Sequence, residues 1–269
     1  MADEKMPFTG HLSELRKRII FSLIALLAGF LVSFNYSENI FDVLTLPLRS
    51  EIGFSIKYPF VTFVPAQIKN STLVFLAPAE AFWMHLKVSF VVGLILALPV
   101  ILYQLWKFVS PGLLAKERKY IVPFVVTATL LFLVGAAFCF LFVLPFAMGF
   151  LLTYKIGALT PMLSVGNYVD FCLKFILAFG AVFELPIVIV FMTRMGVVTP
   201  KTLAKNRKYA ILLAFVAGAI LTPTPDAFNQ TLMAVPIIIL YEAGILVSRF
   251  FVRRKPTKEE GTEEVPSTH

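Results

Sequence analysis

Two short segments combine a carboxylate with a crowd of cations. Glu14 lies in His11-Leu-Ser-Glu-Leu-Arg-Lys-Arg18, and Glu117 in Ser110-Pro-Gly-Leu-Leu-Ala-Lys-Glu-Arg-Lys119. Either acid could serve a binding role, and each also has a plainer reading. Glu14 and Arg18 stand i, i+4 in the favourable order for a helical ion pair, and Glu117 beside Arg118 and Lys119 reads equally as a solvated loop charge. Glu184 is a different case. It sits in the middle of Phe-Gly-Ala-Val-Phe-Glu-Leu-Pro-Ile-Val, where a charge costs roughly 2.5–3.5 kcal/mol on membrane-insertion scales and an acid is a functional candidate by default. Lys174 is ten residues earlier, about 15 Å of rise and roughly 1000° of rotation away along a helix, so the two point to different faces. Glu184 is therefore expected to face the interior of a bundle or a partner helix. In Thr222-Pro-Thr-Pro-Asp226 the prolines force a reversal. Asp226 reads best as the N-cap of the helix that follows, with Gln230 one turn further on.

Bond-breaking chemistry has no matching constellation. There is no GxSxG, HExxH or phosphate loop, and no pair of aspartates inside the apolar blocks. A Ser–Lys or Ser–His pair at depth, which an intramembrane protease needs, is also missing. The three histidines are scattered, and Cys139 and Cys172 lie inside apolar blocks, where sulfur packs as a small hydrophobe; no metal or cofactor is implied. A secondary transporter using Glu184 as a proton relay would want a second acid at depth and the internal repeat that many such transporters show. Neither is found. The residues point to a binding or transport protein without enzymatic turnover.

The elements that carry these residues are membrane helices. Apolar residues make up 58% of the 269-residue chain and charged residues 15%, against about 45–50% and 25% in soluble domains. The apolar residues also run in long blocks. The blocks predict crossings over about 19–36, 84–103, 121–144, 169–192, 209–221 and 228–247, within one all-α transmembrane domain spanning 19–252. An N-terminal segment, 1–18, precedes them, an ordered outside cap fills about 37–78, and 253–269 reads as a disordered tail. The first block is too long for a signal peptide and lacks a cleavage site, so a retained helix is expected. The fifth block has about 13 apolar residues, fewer than the ~20 that span a ~30 Å core. It reads either as a re-entrant hairpin with the sixth block or as a short span in thinned bilayer. Pro99, Pro145, Pro186 and Pro236 fall inside blocks; they either kink the helices into a cupped bundle or reflect the ordinary tolerance of membrane helices for proline.

Orientation follows from the basic residues. Of 24 Lys and Arg, 18 lie in the N-terminal segment, the loops after the second and fourth crossings, and the C-terminal tail; four lie in the alternate loops. The positive-inside rule puts the first set, and both termini, in the cytoplasm. The net charge of +8 is thereby a topology signal and not a nucleic-acid footprint.

Taken together, His11 through Arg18, Pro99-Val-Ile-Leu-Tyr-Gln-Leu-Trp-Lys-Phe108, Pro111 through Lys119, Phe179 through Pro186 and Asp226 through Pro236 resemble the TatC family, the multispanning subunit of the twin-arginine protein translocase. The stretches occur in the family's order and cover about residues 8–252. The resemblance implies six transmembrane helices in a cupped, glove-like bundle in a bacterial plasma (inner) membrane. It implies a receptor for signal peptides bearing consecutive arginines, oligomeric in its receptor complex and working with single-span TatA and TatB subunits on the proton gradient. It assigns signal-peptide recognition to Glu14, Arg16, Phe108 and Glu117, partner-subunit docking to Glu184, Asp226 and Gln230, and a place in the outer loop to Pro47. Two features depart from the family pattern: a longer first outside loop between Arg49 and Asn70, and the Thr-Pro-Thr-Pro-Asp turn. Under this reading Glu14 and Glu117 would each accept one guanidinium fork, which an ammonium cannot match.

Overall fold

The structure is a computed structural model that describes residues 8–54, 61–65, 72–109, 121–153, 162–222 and 226–251. Its elements follow the apolar blocks. Helix α1 (Phe8–Asn35) rises from the basic segment and ends beside two short helices, α2 (Ser37–Leu44) and α3 (Leu46–Arg49). Strands β1 (Ser50–Phe54) and β2 (Val61–Pro65) pair antiparallel, and β3 (Thr72–Val74) leads into α4 (Glu80–Val109). Helix α5 (Ile121–Phe138) continues through a π-helical stretch, Cys139–Val143, into α6 (Leu144–Thr153). Strand β4 (Met162–Ser164) pairs parallel with β3 and opens α7 (Val165–Phe183), followed by α8 (Leu185–Arg194). The chain ends in α9 (Pro200–Lys205), α10 (Arg207–Leu221) and α11 (Ala227–Phe251). The segment expected to form the outside cap thus contributes three short strands, and a fourth, β4, lies ahead of α7. The tail predicted to be disordered lies outside the described residues.

Among the described residues five helical stretches are long and apolar enough to cross a membrane: Leu12–Asn35, Glu80–Val109, Ile121–Leu152, Val165–Arg194 and Ala227–Phe250. Helix α10 has 15 residues, about 22 Å at 1.5 Å per residue, so it is the short member of the set.

The prolines act in two ways. Pro99 and Pro236 are carried inside α4 and α11. Pro145 and Pro186 coincide with interruptions: the π-helical stretch ends just before Pro145, and α7 gives way to α8 at Glu184, two residues before Pro186. A proline lacks the N–H that would close the preceding turn, and a widened turn or a fresh helix start accommodates the freed carbonyl.

Helix α7 is the axis of the core. Val169, Cys172, Phe175 and Phe179 are fully buried, and with Val88 of α4, Leu144 and Ala147 of α6 and Met233 of α11 they form one continuous apolar cluster. Cys139 and Cys172 are free thiols buried in it. Helix α1 lies at the edge, exposing Leu23, Ile24, Leu27 and Leu31, as a lipid-facing helix must. It is fastened to α4 by direct backbone contact. A Cβ on Gly29 would stand 2.5 Å from the Gly93 carbonyl oxygen, and one on Gly93 would stand 2.6 Å from the Phe30 nitrogen. Only glycine at both positions permits that approach.

The outer end is tied by polar contacts. The Tyr168 hydroxyl donates to the Leu44 carbonyl at 2.7 Å, anchoring α2 on α7, and Pro47 is buried in α3 beside that joint. The Glu80 carboxylate accepts from the backbone N–H of Gly166 and of Leu76, each at 2.6 Å, from the Ala77 N–H at 3.4 Å and from the Ser164 hydroxyl. One side chain thereby joins the start of α4 to the start of α7. Lys87 reaches Asp170 across the same pair of helices at 2.7 Å.

Candidate functional site

The N-terminal end of α1 and the C-terminal end of α4 meet at Glu14. Its carboxylate takes the ion pair that the i, i+4 spacing allows: Arg18 Nη2 donates to Glu14 Oε1 at 2.7 Å. The second guanidinium nitrogen, Nη1, donates to Gln104 Oε1 of α4 at 3.3 Å, so the two helices are bridged by Arg18. Both side chains are largely enclosed, with 16% of Arg18 and 19% of Glu14 exposed. Glu14 Oε2 and Arg18 Nε are buried with no hydrogen-bond partner among the described residues. Leaving an enclosed carboxylate oxygen without a donor would cost about 1–3 kcal/mol, so this oxygen is one that a donor beyond the described residues would satisfy.

Phe108 stands one turn beyond Gln104 on α4, and residues four apart share a helix face. The bridge therefore sets Glu14 against the face of α4 that carries the half-buried Phe108. That end of α4 is held rigidly. Trp106 packs edge-on against Phe124 of α5 at 4.3 Å and Phe191 of α8 at 4.2 Å between ring centroids. Such edge-to-face aromatic pairs add to plain burial. Arg16 is exposed, on the turn between Glu14 and Arg18. Glu117 lies outside the described residues. Arg18, Gln104 and Trp106 all sit within or beside the recognised motifs, yet spacing alone does not single them out. Glu–Arg at i, i+4 was legible, whereas the reach from α1 to Gln104 spans 86 residues.

Glu184 occupies the junction between α7 and α8, serving as the C-cap of one and the N-cap of the other. It is half-buried, and its Oε1 is enclosed without a hydrogen-bond partner among the described residues. Lys174 is exposed, and the nearest acid–base pair along α7, Lys87–Asp170, excludes it.

Asp226 caps α11. The Asn229 N–H donates to Asp226 Oδ1 at 2.7 Å, and the Asn229 side-chain amide donates to Oδ2 at 2.9 Å. Gln230 donates through Nε2 to the Phe215 carbonyl of α10 at 3.0 Å, close to where Gly218 lets α10 approach the Gln230 backbone. Asp226 and Gln230 are thus assembled on one hairpin, but Glu184 is not with them. Gly244 of α11 lies against Pro186, and it is fourteen residues, about 21 Å, from Gln230 along the helix. At the opposite end of the hairpin Arg207 pairs with Glu242 at 2.6 Å, and the Tyr241 hydroxyl donates to the Leu203 carbonyl.

Among the described residues no group of three or more His, Cys, Asp or Glu could hold a metal ion. What the arrangement offers is recognition: an enclosed carboxylate with an open acceptor at one end, and a second such carboxylate at a helix break.

Residues 10–236 match the family described as Sec-independent protein translocase protein (TatC). The protein of that name from Desulforapulum autotrophicum is 42% identical over 262 residues, covering 97% of this chain and 91% of its own. The one from Aquifex aeolicus is 41% identical over 252 residues, covering 93% and 98%. A solved structure, described as the twin arginine translocase receptor TatC, superposes with a TM-score of 0.74 at 40% identity, covering 90% of this chain and all of the other. The helical membrane fold with six transmembrane helices expected from the apolar blocks is the fold found. A multi-pass membrane component of a protein-transport system, and not an enzyme, the chain belongs to the TatC family of Sec-independent protein translocases.

Proposed function

We propose that this protein is the receptor subunit that binds twin-arginine signal peptides of folded precursors at the cytoplasmic mouth of α1 and α4. The observation that carries the reading is the Glu14 carboxylate, enclosed between the two helices with one oxygen unused. A guanidinium presents paired donors to such a group, whereas an ammonium is a point charge that keeps its water more tightly. Glu117 supplies the second acceptor and Arg16 repels stray basic segments. Phe108 packs the apolar residues that follow the arginine pair. Both termini are cytoplasmic in a bacterial inner membrane; the distribution of basic residues supports that sidedness.

The single-span TatA and TatB subunits dock along α8, α10 and α11. The point of α11 that touches Pro186, two residues past Glu184, lies about 21 Å along that helix from Gln230, a separation that one partner helix of about 14 residues can follow from end to end. The receptor works as an oligomer with these subunits and draws on the proton gradient; it turns over no substrate of its own.

The test is binding of a labelled Arg-Arg signal peptide and its Lys-Lys twin to the detergent-solubilised protein, repeated with Glu14→Gln and Glu117→Ala. A preference for Arg-Arg that either substitution removes supports the receptor reading. Equal weak binding of both peptides, indifferent to Glu14 and Glu117, overturns it.

A further inference from the structure

We infer that Arg18 and Gln104 set the stringency of arginine recognition, with Arg18 acting as a resident guanidinium that an incoming one must replace at Glu14. The inference rests on the receptor reading above.

Arg18 and Glu14 make a weaker pair than their chemistry permits. A guanidinium facing a carboxylate commonly forms two parallel bonds; here there is one, Nη2 to Oε1 at 2.7 Å. Gln104 is the reason. Its side-chain oxygen draws Nη1 toward α4 at 3.3 Å, leaving Glu14 Oε2 and Arg18 Nε enclosed and unpartnered among the described residues. The resident cation is therefore held in place by two helices but does not saturate the carboxylate. That oxygen gives an entering fork its second bond as Arg18 moves aside.

Charge then dictates exchange over addition. One carboxylate compensates one guanidinium, and Arg16 and Lys17 already crowd the same turn with positive charge. A second cation settling on Glu14 while Arg18 stayed would bring like charges together in a largely enclosed site. If Arg18 leaves as the newcomer arrives, the charge at Glu14 is unchanged, and Gln104 keeps hold of the displaced side chain. Exchange of arginine for arginine gains the second bond that the resident lacks. Exchange of arginine for lysine loses fork geometry and must strip a more strongly hydrated ion. Discrimination thus depends on what is displaced as well as on what binds. Arg18 is a specificity-determining residue and Gln104 a positioning residue that acts through it.

The experiment measures affinities of labelled Arg-Arg and Lys-Lys peptides for the full-length protein in detergent, comparing wild type, Arg18→Gln, Arg18→Lys and Glu14→Gln. Arg18→Gln should bind both peptides more tightly than wild type, the Lys-Lys peptide gaining most, so that the preference for Arg-Arg falls at least fivefold. Arg18→Lys, a weaker resident of equal charge, should fall between, and it decides the matter if Arg18→Gln does not fold. A wild type that prefers Arg-Arg through Glu14, together with an Arg18 variant that keeps the full preference or only weakens both peptides alike, overturns this inference and leaves the receptor reading standing. A wild type with no preference, or one indifferent to Glu14→Gln, overturns both.

Discussion

Two carboxylates of α1 and α4, at opposite ends of the molecule, are treated in opposite ways. Glu80, at the outer end, accepts from three backbone N–H groups and the Ser164 hydroxyl. Its acceptors are consumed by its own chain, and the result is a staple between the starts of α4 and α7. Glu14, at the other end, accepts one bond from Arg18, and its enclosed Oε2 has no partner among the described residues; the same holds for Oε1 of Glu184. Buried polar groups in folded proteins are nearly always paired. A carboxylate that has spent its acceptors internally has nothing to offer a partner, and one left half-used is a place where something else is expected to bind.

The contrast can be broken by mutation. The largest effect is expected for Glu14→Gln, which removes the charge from an arginine acceptor. Loss of a charge-assisted bond should weaken the Arg-Arg peptide about 10- to 100-fold, measured by fluorescence anisotropy, with little change in melting temperature. Glu80→Ala should do the reverse, lowering the melting temperature in detergent while peptide affinity stays within about twofold, the noise of such a comparison. If Glu80→Ala weakened the peptide as much as Glu14→Gln, the division between staple and binding group would fail. Asp226→Ala should remove the cap on α11 and cost about 1 kcal/mol, read from denaturant or thermal unfolding, with Asp226→Asn retaining most of the stability. Glu184→Gln has no partner to lose among the described residues, so the isolated protein should be as stable as wild type or slightly more so. Co-purification of the single-span subunits should fall instead. The smallest effect belongs to Lys87 and Asp170, half-exposed partners at 2.7 Å: a double-mutant cycle should give a coupling of about 0.2–1 kcal/mol.

Local rules made several of these features readable in advance. The Glu14–Arg18 contact follows from four-residue spacing, the Asp226 cap from a Pro-rich turn ahead of an apolar run, and the isolation of Glu184 from Lys174 from helical rotation. Glu80 gave no such signal. It looked like one charge at the edge of an apolar block, and its role appears only when β4 and α7 come beside it from more than 80 residues away. Lys87 and Asp170 were visible as charges but not as a pair, because their meeting depends on the register of α4 against α7. Gln104 stands within a motif, yet its sequence context carries no signal, since a neutral amide acquires meaning only from what lies across the helix gap. The π-helical stretch before Pro145 was likewise hidden: a proline announces a disturbed turn, while packing chooses between a kink, a widened turn and a break.

The glycine contact between α1 and α4 has a mechanical consequence. Gly29 and Gly93 put two backbones in touch, and Glu14 is fifteen residues away on the same rod, about 22 Å along its axis. That contact is a fulcrum and the stretch to Glu14 its long arm. A swing of ~5° about the fulcrum carries the carboxylate about 2 Å, enough to make or break a hydrogen bond. At the mouth the arm is latched to α4 through Arg18 and Gln104. Whatever opens that latch converts an event at one side chain into the tilt of an entire lipid-facing helix, without unpacking the core around α7.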